Sequence, residues 1–283
     1  MTNILPAATM MGAVTLRVAN LDKMIAFYRD GVGLDVLLQG VDSAILGRVG
    51  QPALIIEHSP QLKHASQSSA GLFHSAFLFD TQAELAAAVM SVATKYPGSF
   101  TGSADHLVSE AFYFDDPEGN GVELYFDRDR SKWSWQHGEV DMGTFGLDPN
   151  AYLGEHLGTS PKTVASRIGH VHLSVGNIDQ ARDFYVDKLG FETTKNWMGT
   201  ALFVSAGGYH HHMAMNVWKS RGAGVREQTL GLGDVAIQLP SKDDLGEISD
   251  RLKHVGIQTR DDGDVIRLDD PWGNQVTLEL QKA

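Results

Sequence analysis

Cysteine is absent from the 283-residue chain. Without thiols the protein can have no disulfide, no thiolate nucleophile and no cysteine-based zinc site. Long apolar runs are also absent, because no stretch approaches the roughly 18 residues that a membrane-spanning helix requires. The first residues, MTNILPAATMMGAV, lack the basic region with which a secretory signal begins. These absences predict a cytoplasmic protein that does not enter a membrane.

Positive charge is scarce. The 23 lysines and arginines are outnumbered by 35 aspartates and glutamates, which leaves a net charge of −12 and argues against nucleic-acid binding. Apolar residues at 42% and charged residues at 20% are ordinary for a globular protein and exclude a disordered chain. At roughly 100–200 residues per domain, the length predicts about two domains. Histidine, by contrast, is plentiful, with 12 residues.

The chain contains an internal repeat. Residues 14–35 (VTLRVANLDKMIAFYRDGVGLD) align without a gap with residues 171–192 (VHLSVGNIDQARDFYVDKLGFE), and nine of the 22 positions are identical. Residues 71–85 resemble residues 231–245, and the turn DDPEGN has a later copy, DDPWGN. The sequence therefore divides into four related modules. Modules 1 to 4 cover about 10–58, 70–127, 167–218 and 229–281.

Each module has the same predicted order of elements. A short alternating strand is followed by a polar N-capping turn, an amphipathic helix, a helix-ending glycine and three more strands. The prediction is an α+β fold with the pattern βαβββ repeated four times. We expect an N-terminal domain at 1–130 (modules 1 and 2), a linker at 131–166 with a helix at 149–157, and a C-terminal domain at 167–283 (modules 3 and 4).

This architecture resembles the vicinal oxygen chelate superfamily, which includes glyoxalases and extradiol dioxygenases, and the resemblance covers nearly the whole chain. It implies that paired modules curl their sheets into two half-open barrels, one of them around a metal ion. It also implies that the metal ligands lie at the head of a module's first strand and on its last strand. In this sequence the strand-head positions are Ala13, His74, His170 and Asp234, and the last-strand positions are Glu123 and Thr277.

The ligand types among these positions are uneven. Modules 2 and 3 offer His74, Glu123 and His170, the two imidazoles and one carboxylate of non-haem Fe(II) oxygenases. The remaining three positions form a poor metal site. We therefore predict Fe(II), with Mn(II) as an alternative, in a barrel that modules 2 and 3 share, while module 1 pairs with module 4. A site that crosses between the subunits of a dimer is the alternative to this pairing.

The most specific motif surrounds Glu123. Residues 105–123 (DHLVSEAFYFDDPEGNGVE) resemble the extradiol ring-cleavage signature, which has a histidine, an apolar-tyrosine pair, an acidic-Pro-x-Gly turn and the ligand glutamate. The resemblance implies that Tyr113 hydrogen-bonds a substrate oxygen and that His106 supports the site or contacts the substrate. Ala104 departs from the signature, which usually has a glycine or asparagine two residues before the histidine.

A histidine triplet is the second motif. Residues 208–218 (GYHHHMAMNVW) resemble the extradiol strand in which the second histidine is the acid/base catalyst, which implies this role for His211. In a regular strand His210 and His212 would point away from His211, and a bulge would change this assignment. The choice among the three therefore stays open. Together the two motifs resemble bacterial catechol 2,3-dioxygenase-like proteins.

The resemblance implies an Fe(II)-dependent extradiol dioxygenase that takes a small aromatic diol and O2 and forms a homo-oligomer. One alternative is a glyoxalase-type isomerase or lyase, which needs a second carboxylate where module 3 has Met213, Ala214 and Met215. Another is a metal-free protein that binds a small molecule, against which the complete ligand set argues. Which catechol is cleaved, and at which bond, stays open.

Overall fold

The structure, a computed structural model, describes residues 4–48, 50–158 and 167–281. The last part of the predicted linker, 159–166, lies outside the described residues, as do the first three residues of the predicted N-terminal domain and the last two of the C-terminal one. All four βαβββ modules are present within the described ranges. The predicted α+β fold class is therefore confirmed.

Modules 1 and 2 follow the predicted order. Module 1 consists of β1 (Met10–Val18), α1 (Leu21–Ala26) continued by a π-helical turn (Phe27–Val32), β2 (Asp35–Gln39), β3 (Ser43–Arg48) and β4 (Gln51–His58). Module 2 consists of β5 (Gly71–Phe79), α2 (Gln82–Lys95), β6 (Phe100–Asp105), β7 (Ser109–Asp115) and β8 (Gly121–Asp127).

The connecting segment contains a 3₁₀ turn (Arg130–Lys132), a small hairpin of β9 (Trp135–Gln136) and β10 (Glu139–Val140), and the predicted helix, α3 (Pro149–His156). Module 3 consists of β11 (Arg167–Ser174), α4 (Ile178–Arg182) continued by a π-helical turn (Asp183–Lys188), β12 (Glu192–Trp197), β13 (Ala201–Ser205) and β14 (Met213–Asn216). Module 4 consists of β15 (Gly231–Leu239), α5 (Lys242–His254), β16 (Thr259–Asp261), β17 (Val265–Asp269) and β18 (Gln275–Leu280).

The strand order shows which modules pair. One eight-stranded sheet runs β16-β17-β18-β15-β1-β4-β3-β2, and the other runs β12-β13-β14-β11-β5-β8-β7-β6. Module 1 therefore shares a sheet with module 4, and module 2 shares a sheet with module 3. The predicted pairing, which followed from the placement of ligand-type residues, is confirmed.

By internal contacts the chain forms two compact units. The first comprises the described residues of Met1–Leu16, Leu62–Phe73 and His170–Ala283, and the second comprises Arg17–Gln61 and His74–Gly169. The predicted domain boundaries at 130 and 167 stay a prediction. Among the described residues, no helix combines the length and apolarity that crossing a membrane would need.

The repeated sequence positions have local structural roles. The Asn20 side chain accepts a hydrogen bond from the Lys23 N–H at the start of α1, and Asn177 does the same for Gln180 at the start of α4. Gly33, which ends the first helix, has a φ of 95°, a left-handed angle that glycine adopts without steric cost. The predicted caps are therefore present.

The repeated tyrosine and the repeated turn are joined. The Tyr28 hydroxyl donates to Asp116 Oδ2 at 2.9 Å, and Asp116 Oδ1 accepts from the N–H groups of Glu118 and Asn120. Tyr185 donates to Asp270 at 3.0 Å in the same way. Burial raises the pKa of Asp116 to about 6. The bond between Tyr28 and Asp116 therefore holds the turn that leads into β8.

Candidate metal and substrate site

A buried histidine–glutamate pair lies on two neighbouring strands of module 2. The strands β5 and β8 run parallel, with His74 opposite Gly121 and Ala76 opposite Glu123. His74 Nε2 lies 2.9 Å from Glu123 Oε2, and both residues are almost fully buried. A buried carboxylate requires a proton, hydrogen-bond donors or a cation nearby, because desolvation disfavours its charge.

A second cluster of imidazoles lies in module 3. His170 is buried on β11, and its ring centroid lies 4.1 Å from that of His211. The His210 ring is further from His170, at 6.0 Å. Two strand positions beyond His170, His172 is also buried.

The predicted ligands come together in one group. In the parts of the chain that the structure describes, candidate ligand atoms of His74, Glu123 and His170 all lie within 4.8 Å of one another, and all three residues are buried. Ligands about 2.0–2.2 Å from a metal ion lie roughly 3–3.5 Å apart, which these separations allow. Two imidazoles and a carboxylate suit Fe(II), Mn(II) and Zn(II). The donor set and its geometry therefore fit a mononuclear metal ion.

Tyr113 and His106 form a hydrogen-bonded pair beside Glu123. Tyr113 lies on β7 directly opposite Glu123 on β8. The Tyr113 hydroxyl is 2.6 Å from His106 Nε2, and His106 Nδ1 is 2.7 Å from the Gly143 carbonyl oxygen. Because a carbonyl only accepts, Nδ1 carries the hydrogen, and a neutral His106 accepts from the phenol at Nε2. Burial, reinforced by the Glu123 carboxylate, raises the pKa of Tyr113 well above its ordinary value.

An arginine holds the loop that carries His106. Arg128 donates to both carboxylate oxygens of Asp105 at 2.5 and 2.9 Å, and to Glu110 at 2.8 Å. The hydrogen bond from Arg128 is the main reason that the pKa of Asp105 is lowered. Sequence analysis missed this arginine. The signal available was the pair of acidic residues flanking His106 in the motif, which require a cationic partner if they are partly buried.

The histidine triplet does not lie in a strand. β14 begins at Met213, and the three histidines precede it, so the strand alternation expected for them does not apply. His210 Nδ1 is 2.7 Å from His211 Nδ1. His212 Nδ1 instead accepts from the Ala206 N–H and is 3.0 Å from the Ser205 hydroxyl. Thus His210 contacts His211, whereas a regular strand would separate them.

A row of aromatic rings extends from His211 to the surface. The Phe203 ring contacts His211 edge-on at 5.0 Å and His172 at 5.9 Å, and His172 contacts Trp218 at 5.4 Å. Phe73 contacts both His172 and Trp218. Trp218 is 53% exposed. We call the residues Phe73, His172, Phe203 and Trp218 the aromatic wall.

The side-chain amide of Asn216 is fixed in one orientation beside the aromatic wall. The backbone N–H of Trp218 donates to Asn216 Oδ1 at 3.1 Å, which turns the side-chain amide nitrogen of Asn216 toward His172 Nε2 at 3.0 Å. The amide therefore donates to His172, whose remaining hydrogen is on Nδ1.

In modules 1 and 4 the positions equivalent to the candidate ligands hold Ala13, Asp234 and Thr277. Asp234 accepts hydrogen bonds from Thr277 at 2.8 Å and from Gln275 at 3.2 Å. Burial raises the pKa of Asp234 to about 6. Ala13 offers no ligand atom. The Asp234 carboxyl is therefore held by hydrogen-bond donors of the neighbouring strand.

Comparisons with known proteins agree on one family. Residues 11–124 and 167–278 match the profile of the Glyoxalase/Bleomycin resistance protein/Dioxygenase superfamily. A catechol-2,3-dioxygenase of Bacillus subtilis (strain 168) is 36% identical over 271 residues, which cover 93% of this chain and 94% of the relative.

Solved structures share the fold at low identity. A candidate dioxygenase from Bacillus subtilis subsp. subtilis str. 168 superposes with a TM-score of 0.67 at 14% identity, covering 97% of this chain and 86% of the other. Glyoxalase I from Zea mays superposes with a TM-score of 0.59 at 15% identity, covering 97% and 93%. At these identities the likeness shows the fold alone.

Proposed function

The chain belongs to the Glyoxalase/Bleomycin resistance protein/Dioxygenase superfamily, and from this premise we propose that it is an extradiol dioxygenase. It would insert O2 into a small aromatic diol at a mononuclear Fe(II) held by His74, Glu123 and His170. The observation that carries the proposal is the buried grouping of these two imidazoles and one carboxylate within 4.8 Å. The catechol-2,3-dioxygenase named among the relatives supports the choice of reaction.

Bound by these three side chains, Fe(II) supplies the open coordination positions and the redox chemistry that allow O2 to react with a diol; Mn(II) suits nearly the same ligands. The protein's own groups have the task of holding the diol and moving its protons. In this superfamily the same fold hosts several activities, so the residues around the ligands decide the reaction.

His211 is the proposed acid/base catalyst. Its ring lies beside His170, at a centroid distance of 4.1 Å, and so within reach of a diol held at the ligands. An imidazole ordinarily titrates near neutrality, so it can accept the proton of a substrate hydroxyl and return it to an oxygen of the product.

Tyr113 is proposed to orient the substrate, with His106 behind it. The phenol stays protonated near neutral pH, because burial and Glu123 raise its pKa. The hydroxyl is 2.6 Å from His106 Nε2, and when it donates its hydrogen to this nitrogen its oxygen presents lone pairs to a substrate hydroxyl. His106 therefore fixes the direction of the Tyr113 hydroxyl and does not itself need to touch the diol.

The aromatic wall favours a diol with an apolar ring or ring substituent. Its rings make a continuous path from His211 to the exposed Trp218, and aromatic faces and edges bind other aromatic groups with about 0.5–1.5 kcal/mol beyond area burial. A glyoxalase-type isomerase is disfavoured, because the strand of module 3 that would supply its second carboxylate contains Met213, Ala214, Met215 and Asn216. A cytoplasmic location and an assembly of identical copies stay predictions.

The test is O2 uptake by protein loaded with Fe(II) under anaerobic conditions. Catechol, 4-methylcatechol and 3,4-dihydroxyphenylacetate are supplied, and the yellow ring-cleavage product is followed by absorbance. We expect uptake with the two uncharged diols and a loss of about 1,000-fold or more in His74→Ala, Glu123→Ala and His170→Ala.

Asp234→Ala is the matched control, because Asp234 occupies the strand head of module 4 and is expected to leave uptake unchanged. Uptake that survives in His170→Ala but not in Asp234→Ala would place the metal in the other sheet. If metal-loaded protein consumes no O2 with any of the diols, the proposed dioxygenase activity is wrong.

A further inference from the structure

We propose that His210 is a positioning residue that holds His211 in its catalytic orientation and tautomer. The inference rests on the proposed function, in which His211 moves the substrate's protons. Its observation is the contact between the two rings, whose Nδ1 atoms lie 2.7 Å apart, a full hydrogen-bond distance.

The chemistry of imidazole limits what this contact can be. A neutral imidazole has a hydrogen on one nitrogen and a lone pair on the other, so two facing Nδ1 atoms must share a single hydrogen. When His211 donates this hydrogen, its Nε2 has a lone pair that can accept a proton from a substrate hydroxyl. His210 then accepts through its Nδ1 both before and after the transfer. It acts as the third group that orients a catalytic base.

His210 is itself held on several sides. It is fully buried, and the Tyr209 ring packs on it at a centroid distance of 4.1 Å. The Thr194 hydroxyl donates to the His210 carbonyl at 2.6 Å, which ties the main chain of the triplet to β12. A ring held in this way can transmit a fixed direction to its neighbour, because neither its backbone nor its side chain is free to turn.

The turn before the triplet places it there. Gly207 and Gly208 both have positive φ, at 62° and 68°. A Cβ on Gly207 would overlap the Ala7 carbonyl, so the close approach of two backbone segments requires glycine. This turn, and not strand pleating, brings His210 and His211 to the same side.

The test compares His210→Leu with His210→Asn in the Fe(II)-loaded enzyme. Leucine removes the acceptor, whereas the Oδ1 of asparagine occupies a position close to that of Nδ1. We expect His210→Leu to lower kcat by about 10- to 100-fold, the range for groups that orient a reactive residue, with KM changed by less than about 3-fold. His210→Asn should recover kcat to within about 5-fold of the wild type.

His212→Gln is the matched control, because His212 is buried in the same segment but is oriented by Ala206 and Ser205; its kcat should stay close to that of the wild type. Iron content and Tm are measured for every variant. Equal loss in the leucine and asparagine variants, with full iron and unchanged Tm, would overturn the proposal, as would an unchanged kcat in His210→Leu.

A second readout does not depend on dioxygenase activity. In ¹⁵N-labelled protein loaded with diamagnetic Zn(II), long-range ¹H–¹⁵N spectra report which ring nitrogen of each histidine has the hydrogen. We expect His211 to be the Nδ1–H tautomer in the wild type and in His210→Asn, and a mixture in His210→Leu. An unchanged tautomer in His210→Leu would overturn the proposal even if the enzyme has another activity.

Discussion

At the scale of single residues, the Tyr113 hydroxyl is proposed to hydrogen-bond the substrate diol. Tyr113→Phe removes the oxygen that is proposed to hold the diol while leaving the ring packed against His74, at a centroid distance of 5.7 Å. We expect kcat/KM to fall by about 10- to 100-fold, because one hydrogen bond in the transition state is lost. Iron content should not change. The measurement is steady-state ring cleavage with the Fe(II)-loaded variant.

Tyr96→Phe is the control for Tyr113, because the Tyr96 ring packs edge-on against Phe27, at a centroid distance of 4.8 Å. A Tyr113→Phe enzyme as active as the Tyr96→Phe enzyme would show that the phenol does not touch the substrate.

The position before His170 has room only for glycine, Gly169. A Cβ at this position would overlap the Tyr125 hydroxyl. We expect Gly169→Ala to lower the free energy of unfolding by about 1–3 kcal/mol, the usual cost of overpacking a core. In a Tyr125→Phe background, where the hydroxyl is gone, the cost of the alanine should fall by about 1 kcal/mol or more. Urea unfolding of the four proteins gives this coupling, and simple additivity would contradict the steric cause.

At the scale of elements, the tyrosine–aspartate bond anchors a turn. Burial raises the pKa of Asp116 to about 6, so the folded protein binds a proton more tightly than the unfolded chain. The stability that this group contributes is therefore present at low pH and is lost as the pH rises through about 6. The Tyr28 hydroxyl opposes this loss, because it donates to the carboxylate.

Tyr28→Phe should consequently cost more at high pH. We expect a loss of about 1.5–3 kcal/mol in the free energy of unfolding near pH 8, where the carboxylate is charged, and about 1 kcal/mol near pH 5. Urea unfolding at the two pH values measures both. Tyr185→Phe, which removes the equivalent bond to Asp270, should behave alike, since burial also raises the pKa of that carboxyl. A loss that grows as the pH falls would contradict the assigned hydrogen bond.

Elements were predictable where the physics is local. The alternation of apolar and polar residues, the helix caps and the glycine at the helix end all depend on residues close together in sequence. The internal repeat shows each of these features twice. The histidine triplet was not predictable in this way. Strand periodicity left the choice among the three histidines open, whereas in the structure two glycines with positive φ precede them in a turn and His210 contacts His211.

Contacts between distant residues were also beyond sequence reasoning. Arg128, which directly follows β8, joins Asp105 on β6 to Glu110 on β7, and no spacing rule connects the three residues. The aromatic wall draws Phe73, His172, Phe203 and Trp218 from separate segments, so no single motif contains it.

At the scale of the whole molecule, the uneven distribution of ligand types predicted the pairing of modules. Histidine heads the first strand of modules 2 and 3, whereas alanine and aspartate head those of modules 1 and 4. A metal site with three ligands then requires modules 2 and 3 to share a sheet, and the strand order has this arrangement. Chain order alone would have paired module 1 with module 2.

The most direct test of this shared site is an anaerobic Fe(II) titration of metal-free protein, because binding requires neither a diol nor O2. We expect one equivalent of Fe(II) per chain in the wild type and in Asp234→Ala, and loss of tight binding in both His74→Ala and His170→Ala. The two histidines come from different modules, so the double requirement is the signature of a site that both modules build. Tight binding that persists in His170→Ala, or is lost in Asp234→Ala, would contradict it.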